Sequence, residues 1–164
     1  MIANIAILAL VTLSRLVELP KARANARRLI AAGGHEVAPG QYPLIVALHA
    51  GWLLSLWLLA LNRPIDLVPL ALFGIIECGR IWVLRTLGKR WTTRIIVVPG
   101  EQLVAGGPYK YLNHPNYAVV IAEIALLPLV FGLWQVALIF SLLNAALLTI
   151  RIREENRALA SLRG

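Results

Sequence analysis

Five stretches of the chain are almost purely apolar: Ile2–Leu19, Pro43–Leu61, Ile65–Leu84, Tyr117–Phe131 and Leu133–Ile150. Polar residues are gathered between them. A helix needs roughly 20 mostly apolar residues to cross a hydrocarbon core, so each stretch is predicted to be a transmembrane helix. The last two are short and nearly continuous. Pro128 and Gly132 punctuate them into a tight helical hairpin, because the combined run is too long for one span. The first stretch has neither a basic leader nor a small-residue cleavage site, and it reads as a membrane helix rather than a signal peptide. The expected fold is an all-α integral membrane bundle of five transmembrane helices, a single domain over residues 1–164 with no internal repeat.

The charged residues between these stretches alternate in density. Lys21, Arg23, Arg27 and Arg28 follow the first helix; Arg85, Lys89, Arg90, Arg94 and Lys110 follow the third; Arg151, Arg153, Arg157 and Arg163 follow the fifth. The turn after the second helix has only Arg63, and the Gly132 turn has no charge. With Arg15 and Arg80 included, 15 of the 16 basic residues fall on one side. The positive-inside rule then puts the N-terminus outside and the C-terminus in the cytosol.

Composition agrees with a bilayer as solvent: 59% of residues are hydrophobic and mean hydropathy is +0.75, too apolar for a soluble domain of this size. A net charge of +8 would suggest nucleic acid if it formed one patch on a soluble domain. Spread between membrane spans it sets topology, and no nucleic-acid partner is expected. The single cysteine, Cys78, excludes an intrachain disulfide and a cysteine-based metal motif, and it is expected to be a small buried residue. Residues 20–42 and 85–116 are too short to bury cores of their own, which confines chemistry to the bundle or its cytosolic mouth.

Ionisable groups inside a span cost on the order of 2.5 kcal/mol or more, so each needs a partner or a task. Arg15 and Glu18, three apart near the interface, are expected to form a local ion pair, and so are Glu77 and Arg80. Glu123 has no basic residue three or four positions away and must face a cavity or a polar neighbour. Asn116, seven residues earlier, lies about 20° away on a helical wheel and shares its face. His49 is read as a hydrogen-bonded packing residue, and His35 beside Gly33 and Gly34 carries no signal.

Asn144, Arg151 and Glu155 fall within about 40° of one another on the fifth helix. They form a polar stripe that either lines a pocket or is a solvated tail with an Arg151–Glu155 pair. The segment Pro99–Tyr117 holds three tyrosines, a histidine and several turn formers. Gly106, Gly107 and Pro108 permit a tight turn, and Pro115 marks the first turn of the fourth helix. Taken alone, this is an ordered loop at the membrane surface or an interfacial tyrosine belt.

Gly107-Pro-Tyr-Lys-Tyr-Leu-Asn-His-Pro-Asn-Tyr117, then two apolar spans, then Arg151-Ile-Arg-Glu-Glu155, together resemble the isoprenylcysteine carboxyl methyltransferase family of membrane enzymes. The resemblance covers about the C-terminal 65 residues. It implies S-adenosyl-L-methionine as cofactor and S-adenosyl-L-homocysteine as product, bound at a cytosolic site in the bundle without a Rossmann domain. By motif position the cofactor would contact Glu101, Gln102, Leu103, Val104, Tyr109, His114, Pro115, Asn116, Tyr117 and Glu155, with Arg151 and Asn144 toward the substrate and no metal. The family often has arginine where this chain has Asn113, and many members extend further past the paired glutamates; both departures bear on the acceptor end. The segment Arg85–Ile96 together with Glu123 is similar to a bacterial branch linked to O-methylation of alkylpyrone or alkylresorcinol lipids, which implies the bacterial inner membrane.

A methyl sulfonium needs holding, alignment with the acceptor oxygen and exclusion of water. Tyr109 and Tyr117 would offer π faces worth roughly 0.5–2 kcal/mol, Glu155 would accept from the cofactor's polar groups, and Arg151 would hold the attacking anion. Glu123 or His114 would serve as base if the acceptor is a phenol. The expected acceptor is a lipophilic small molecule within the membrane. A prenylcysteine carboxylate or a lipid amine keeps the same transfer, whereas a small transporter or scaffold with Glu123, Glu77 and Arg151 on a polar pathway belongs to a different class.

Overall fold

The computed structural model describes residues 1–163, apart from the side chains at 159 and 161–163. The charge assigned to Arg163 and the last position, Gly164, therefore lie outside the described residues. Five α-helices follow in order: α1 (Ile2–Ala31), α2 (Gln41–Leu59), α3 (Leu67–Leu87), α4 (Pro115–Val130) and α5 (Trp134–Arg163). Four of them, α1, α2, α3 and α5, are long and apolar enough to cross a membrane. At 16 residues, α4 reaches only about 24 Å, less than the roughly 30 Å of a hydrocarbon core.

The four long helices bury only 17–28% of their most apolar windows, so most apolar side chains point outward, where lipid rather than protein surrounds them. Inside, Leu8, Trp52, Leu56, Ile124, Leu127 and Phe131 form the packed core. Cys78 is exposed, against expectation. It sits about 200° around α3 from buried Arg80, on the outward face.

Local chemistry explains where the helices stop. The Asp66 carboxylate accepts from the Val68 amide at 2.9 Å and caps α3. Pro115 opens α4 in its first turn. At the hairpin Gly132 takes φ +65°, a left-handed turn that satisfies the Leu129 carbonyl. The first helix does not end at Leu19 as expected but continues through Pro20 to Ala31. Its extension is pinned from outside: Asn25 donates to the carbonyls of Trp91 (2.8 Å) and Gly88 (3.2 Å), and Arg28 donates to that of Lys89 (2.7 Å). At the other end Asn4, 2% exposed, donates to the carbonyls of Ala60 (2.7 Å) and Arg63 (2.9 Å) and ties α1 to the α2–α3 turn.

One element was not foreseen. Strands β1 (His35–Val37) and β2 (Ile95–Val97) pair antiparallel, with Glu36 opposite Ile96. An Arg94–Glu36 bridge at 2.9 Å and Arg94 stacked 4.7 Å over Tyr42 reinforce the pair. This ribbon joins the two polar segments that the sequence leaves as separate loops, and α1 and α5 both touch it. The result is a polar cap at the basic end of the bundle.

Candidate active site

The cap and the ends of α4 and α5 enclose a cavity of about 330 Å³. Its walls come from β2, from residues 101–105, from Tyr109, and from Asn113, His114, Asn116 and Tyr117 at the start of α4, facing Arg151 and Glu155 on α5. Of the residues expected at the cofactor, Glu101, Gln102, Leu103, Val104, Tyr109, His114, Asn116, Tyr117 and Glu155 all line it, and Pro115 does not. Residues 101–105 have no helical or strand pairing. Arg90 holds them by donating to the Gln102 carbonyl at 2.6 Å and pairing with Glu101 at 2.7 Å.

Gly107 is required where that segment meets α3. It has φ +56°, and a Cβ there would collide with Thr86 Oγ1, which lets the following short turn (Gly107–Lys110) lie against the helix and direct Tyr109 into the cavity. Burial, and then the nearby Glu155 carboxylate, push the Tyr109 hydroxyl up to about 12. It stays a neutral donor at any physiological pH.

The Tyr117 hydroxyl links the two motifs. It donates to Glu155 Oε2 at 2.6 Å and accepts from Arg151 Nε at 2.9 Å. The Arg151–Glu155 interaction considered for a solvated tail is thus relayed through Tyr117, and Arg151 is 7% exposed rather than solvated. Arg151 Nη2 donates to the Thr93 carbonyl at 2.9 Å, which leaves Nη1 without a partner among the described residues. His114 stacks on Tyr117 (centroids 5.4 Å apart, 22° between planes), approaches Glu155 at 3.5 Å and meets Asn156 at 3.2 Å.

Behind this wall lies a second cavity of about 310 Å³, at the level of the apolar spans. Asn116, Tyr117 and Arg151, together with Trp91 and Thr92, line both cavities. Glu123 and Asn144 line only the second, so the candidate residues separate into two chambers with a shared partition. Trp91 and Thr92 were not singled out from the sequence. Their signal was a tryptophan within a basic segment that is nonetheless buried.

The intramembrane charges pair differently from expectation. Arg15 and Glu18 do meet (3.4 Å), but Arg15 also reaches Glu77 (2.9 Å) and Glu123 (3.1 Å). Arg80 does not settle on Glu77, its neighbour three residues away. It grips Glu18 and, at 3.1 Å, Glu123. Long arginines crossing between α1, α3 and α4 satisfy more carboxylate oxygens than a pair along one helix can, and in a low dielectric that wins. Glu123 therefore has two basic partners, neither close in sequence. His49 hydrogen-bonds the Ile45 carbonyl at 2.9 Å, the packing role expected for it.

The profile of the isoprenylcysteine carboxyl methyltransferase family matches residues 67–161, which include nearly all of the first cavity's walls and about half of the second's. The chain is similar to the uncharacterized protein YpbQ of Bacillus subtilis, at 39% identity over 93% of this chain and 94% of that one. It is also similar to an uncharacterized protein of Haemophilus influenzae, at 30% identity over 49% of this chain and 48% of that one. No solved structure matches. With a family profile covering more than half of its length, the chain belongs to the isoprenylcysteine carboxyl methyltransferase family of membrane methyltransferases.

Proposed function

We propose that the whole chain works as one unit, an S-adenosyl-L-methionine-dependent methyltransferase that modifies an oxygen of a lipophilic acceptor such as an alkylpyrone or alkylresorcinol lipid. The observation that carries this reading is the partition: a polar chamber at the basic end and an apolar chamber at membrane depth share Asn116, Tyr117 and Arg151. Transfer between a water-soluble cofactor and a greasy acceptor requires such a meeting point.

The residues of the polar chamber fit the cofactor. Its volume lies in the range of small-molecule sites, ~300–1,000 Å³, and Glu155, whose carboxylate is met by Tyr117 and His114 rather than by an arginine, suits a cationic group; Glu101 is already paired with Arg90. The unpaired backbone of residues 103–105 offers amide and carbonyl groups to a nucleoside edge. When bound, the sulfonium supplies an electrophilic methyl group. Tyr109 would place its ring beside that charge, since Tyr117 already stacks on His114. Arg151 would use its spare Nη1 to hold the acceptor oxygen as an anion, and Asn116 would orient it. The partition would keep water from the reacting atoms. Most basic residues lie at the chamber's end of the bundle, and we place that end in the cytosol of a bacterial inner membrane. The α4–α5 hairpin would complete the fifth crossing.

Calorimetric titration of the detergent-solubilised protein with S-adenosyl-L-methionine is expected to show saturable binding, weakened at least about tenfold by Glu155→Ala or Tyr109→Ala. A labelled methyl group should then appear on an oxygen of an extracted membrane lipid. Absence of binding at millimolar cofactor would overturn the reading.

A further inference from the structure

The apolar chamber is not apolar throughout, and its polar groups lie at two depths. Asn116 and Arg151 belong to the partition. Glu123 lies seven residues after Asn116, and Asn144 seven residues before Arg151, in each case about two helical turns toward the middle of the bundle. Both are 4% exposed and both line the chamber.

Among the described residues the Asn144 side-chain amide has no hydrogen-bond partner, although such a group in a membrane interior is costly to leave unsatisfied. The charge cluster borders the same chamber. It combines three carboxylates (Glu18, Glu77, Glu123) with two guanidinium groups (Arg15, Arg80), and both arginines reach Glu123. All three nitrogens of Arg80 and both terminal nitrogens of Arg15 already face carboxylates. Glu18 and Glu123 line the same chamber as Asn144, and a carboxylate held ionised by two arginines still has lone pairs for a further donor.

We propose that the deep end of this chamber is a second acceptor-binding point, in which Glu123 and Asn144 hold a hydrogen-bond-donating group of the acceptor, distinct from the oxygen that receives the methyl. This rests on the reading of the chamber as the acceptor site, and it narrows the substrate class. The acceptor has a head with two separated polar functions, the inner one bearing a proton, rather than a lone terminal carboxylate. A carboxylate at the inner point would face the Glu18 and Glu123 carboxylates that line it.

The test is binding rather than turnover. The protein in lipid nanodiscs is titrated with long-chain phenol, long-chain resorcinol and the resorcinol monomethyl ether, all of one chain length, and quenching of tryptophan fluorescence, to which Trp52 in the chamber wall contributes, reports occupancy. The resorcinol is expected to bind at least about tenfold more tightly than the phenol, with the ether between them, and Glu123→Gln or Asn144→Leu should reduce the advantage to within about twofold. Equal affinities in the unaltered protein, or no binding of any of the three, overturn the proposal without any variant having to fold. Cofactor titration of the same nanodiscs separates the two readings: cofactor binding with equal acceptor affinities removes only the second point, whereas a resorcinol preference without cofactor binding removes the methyltransferase.

Discussion

A single hydroxyl, that of Tyr117, stands between an arginine and a glutamate that would otherwise face each other across a gap. Removing it in Tyr117→Phe leaves Arg151 Nε and Glu155 Oε2 each short of a partner. Breaking hydrogen bonds to charged groups costs about 1.5–3 kcal/mol apiece, so a fall in unfolding midpoint together with weaker cofactor binding is expected by thermal shift and calorimetry. Glu155→Gln, which still accepts from the hydroxyl, should be milder. Tyr109 gives a pH signature. Its hydroxyl ionises near 10 in an unfolded chain and at about 12 in the folded one, so high pH favours the unfolded chain, and the stabilising difference present below pH 10 is lost as pH rises toward 12. The tyrosinate absorbance change missing from Tyr109→Phe should develop at that higher pH, and its appearance near pH 10 would contradict the burial described. At this scale the motifs carried Arg151, Tyr117 and Glu155, and helical spacing put Arg151 and Glu155 on one face. The sequence was misleading for Glu77 and Arg80, because proximity along one helix says nothing about a competing arginine on another.

Among the elements, hydrophobic runs and their punctuation were legible. Pro115 and Gly132 act where a first-turn proline and a hairpin glycine were expected, while the Asp66 cap of α3 was not foreseen. The β1–β2 ribbon was not legible: each strand has three residues, too few for alternation to register, and its partner is a whole helical pair away. Neither was the run of α1 through Pro20, since the bonds holding it come from the turn after α3. The fit of the Gly107 turn against α3 can be dissected. Gly107→Ala should destabilise by about 1–3 kcal/mol through both the Thr86 collision and the left-handed backbone. Adding Thr86→Ala should relieve the collision and leave roughly 1 kcal/mol from the backbone. Full recovery in the double variant, measured by chemical denaturation, would show that the positive φ is not maintained.

For the whole molecule, the orientation inferred from its charges has a direct check. With Cys78 replaced by serine, a cysteine at Arg63 is expected to react with an impermeant maleimide added to intact cells, and one at Lys110 only after the membrane is opened. The reverse pattern would place the polar chamber on the wrong side for a cytosolic cofactor.

Tyr117, Asn116 and Arg151 belong at once to the aqueous and the greasy compartment. With the cofactor and the acceptor proposed for the two chambers, a rearrangement that one ligand imposes on these residues reaches the other. By thermodynamic reciprocity, the factor by which a lipid tightens or loosens the nucleoside must equal the factor by which the nucleoside alters retention of the lipid.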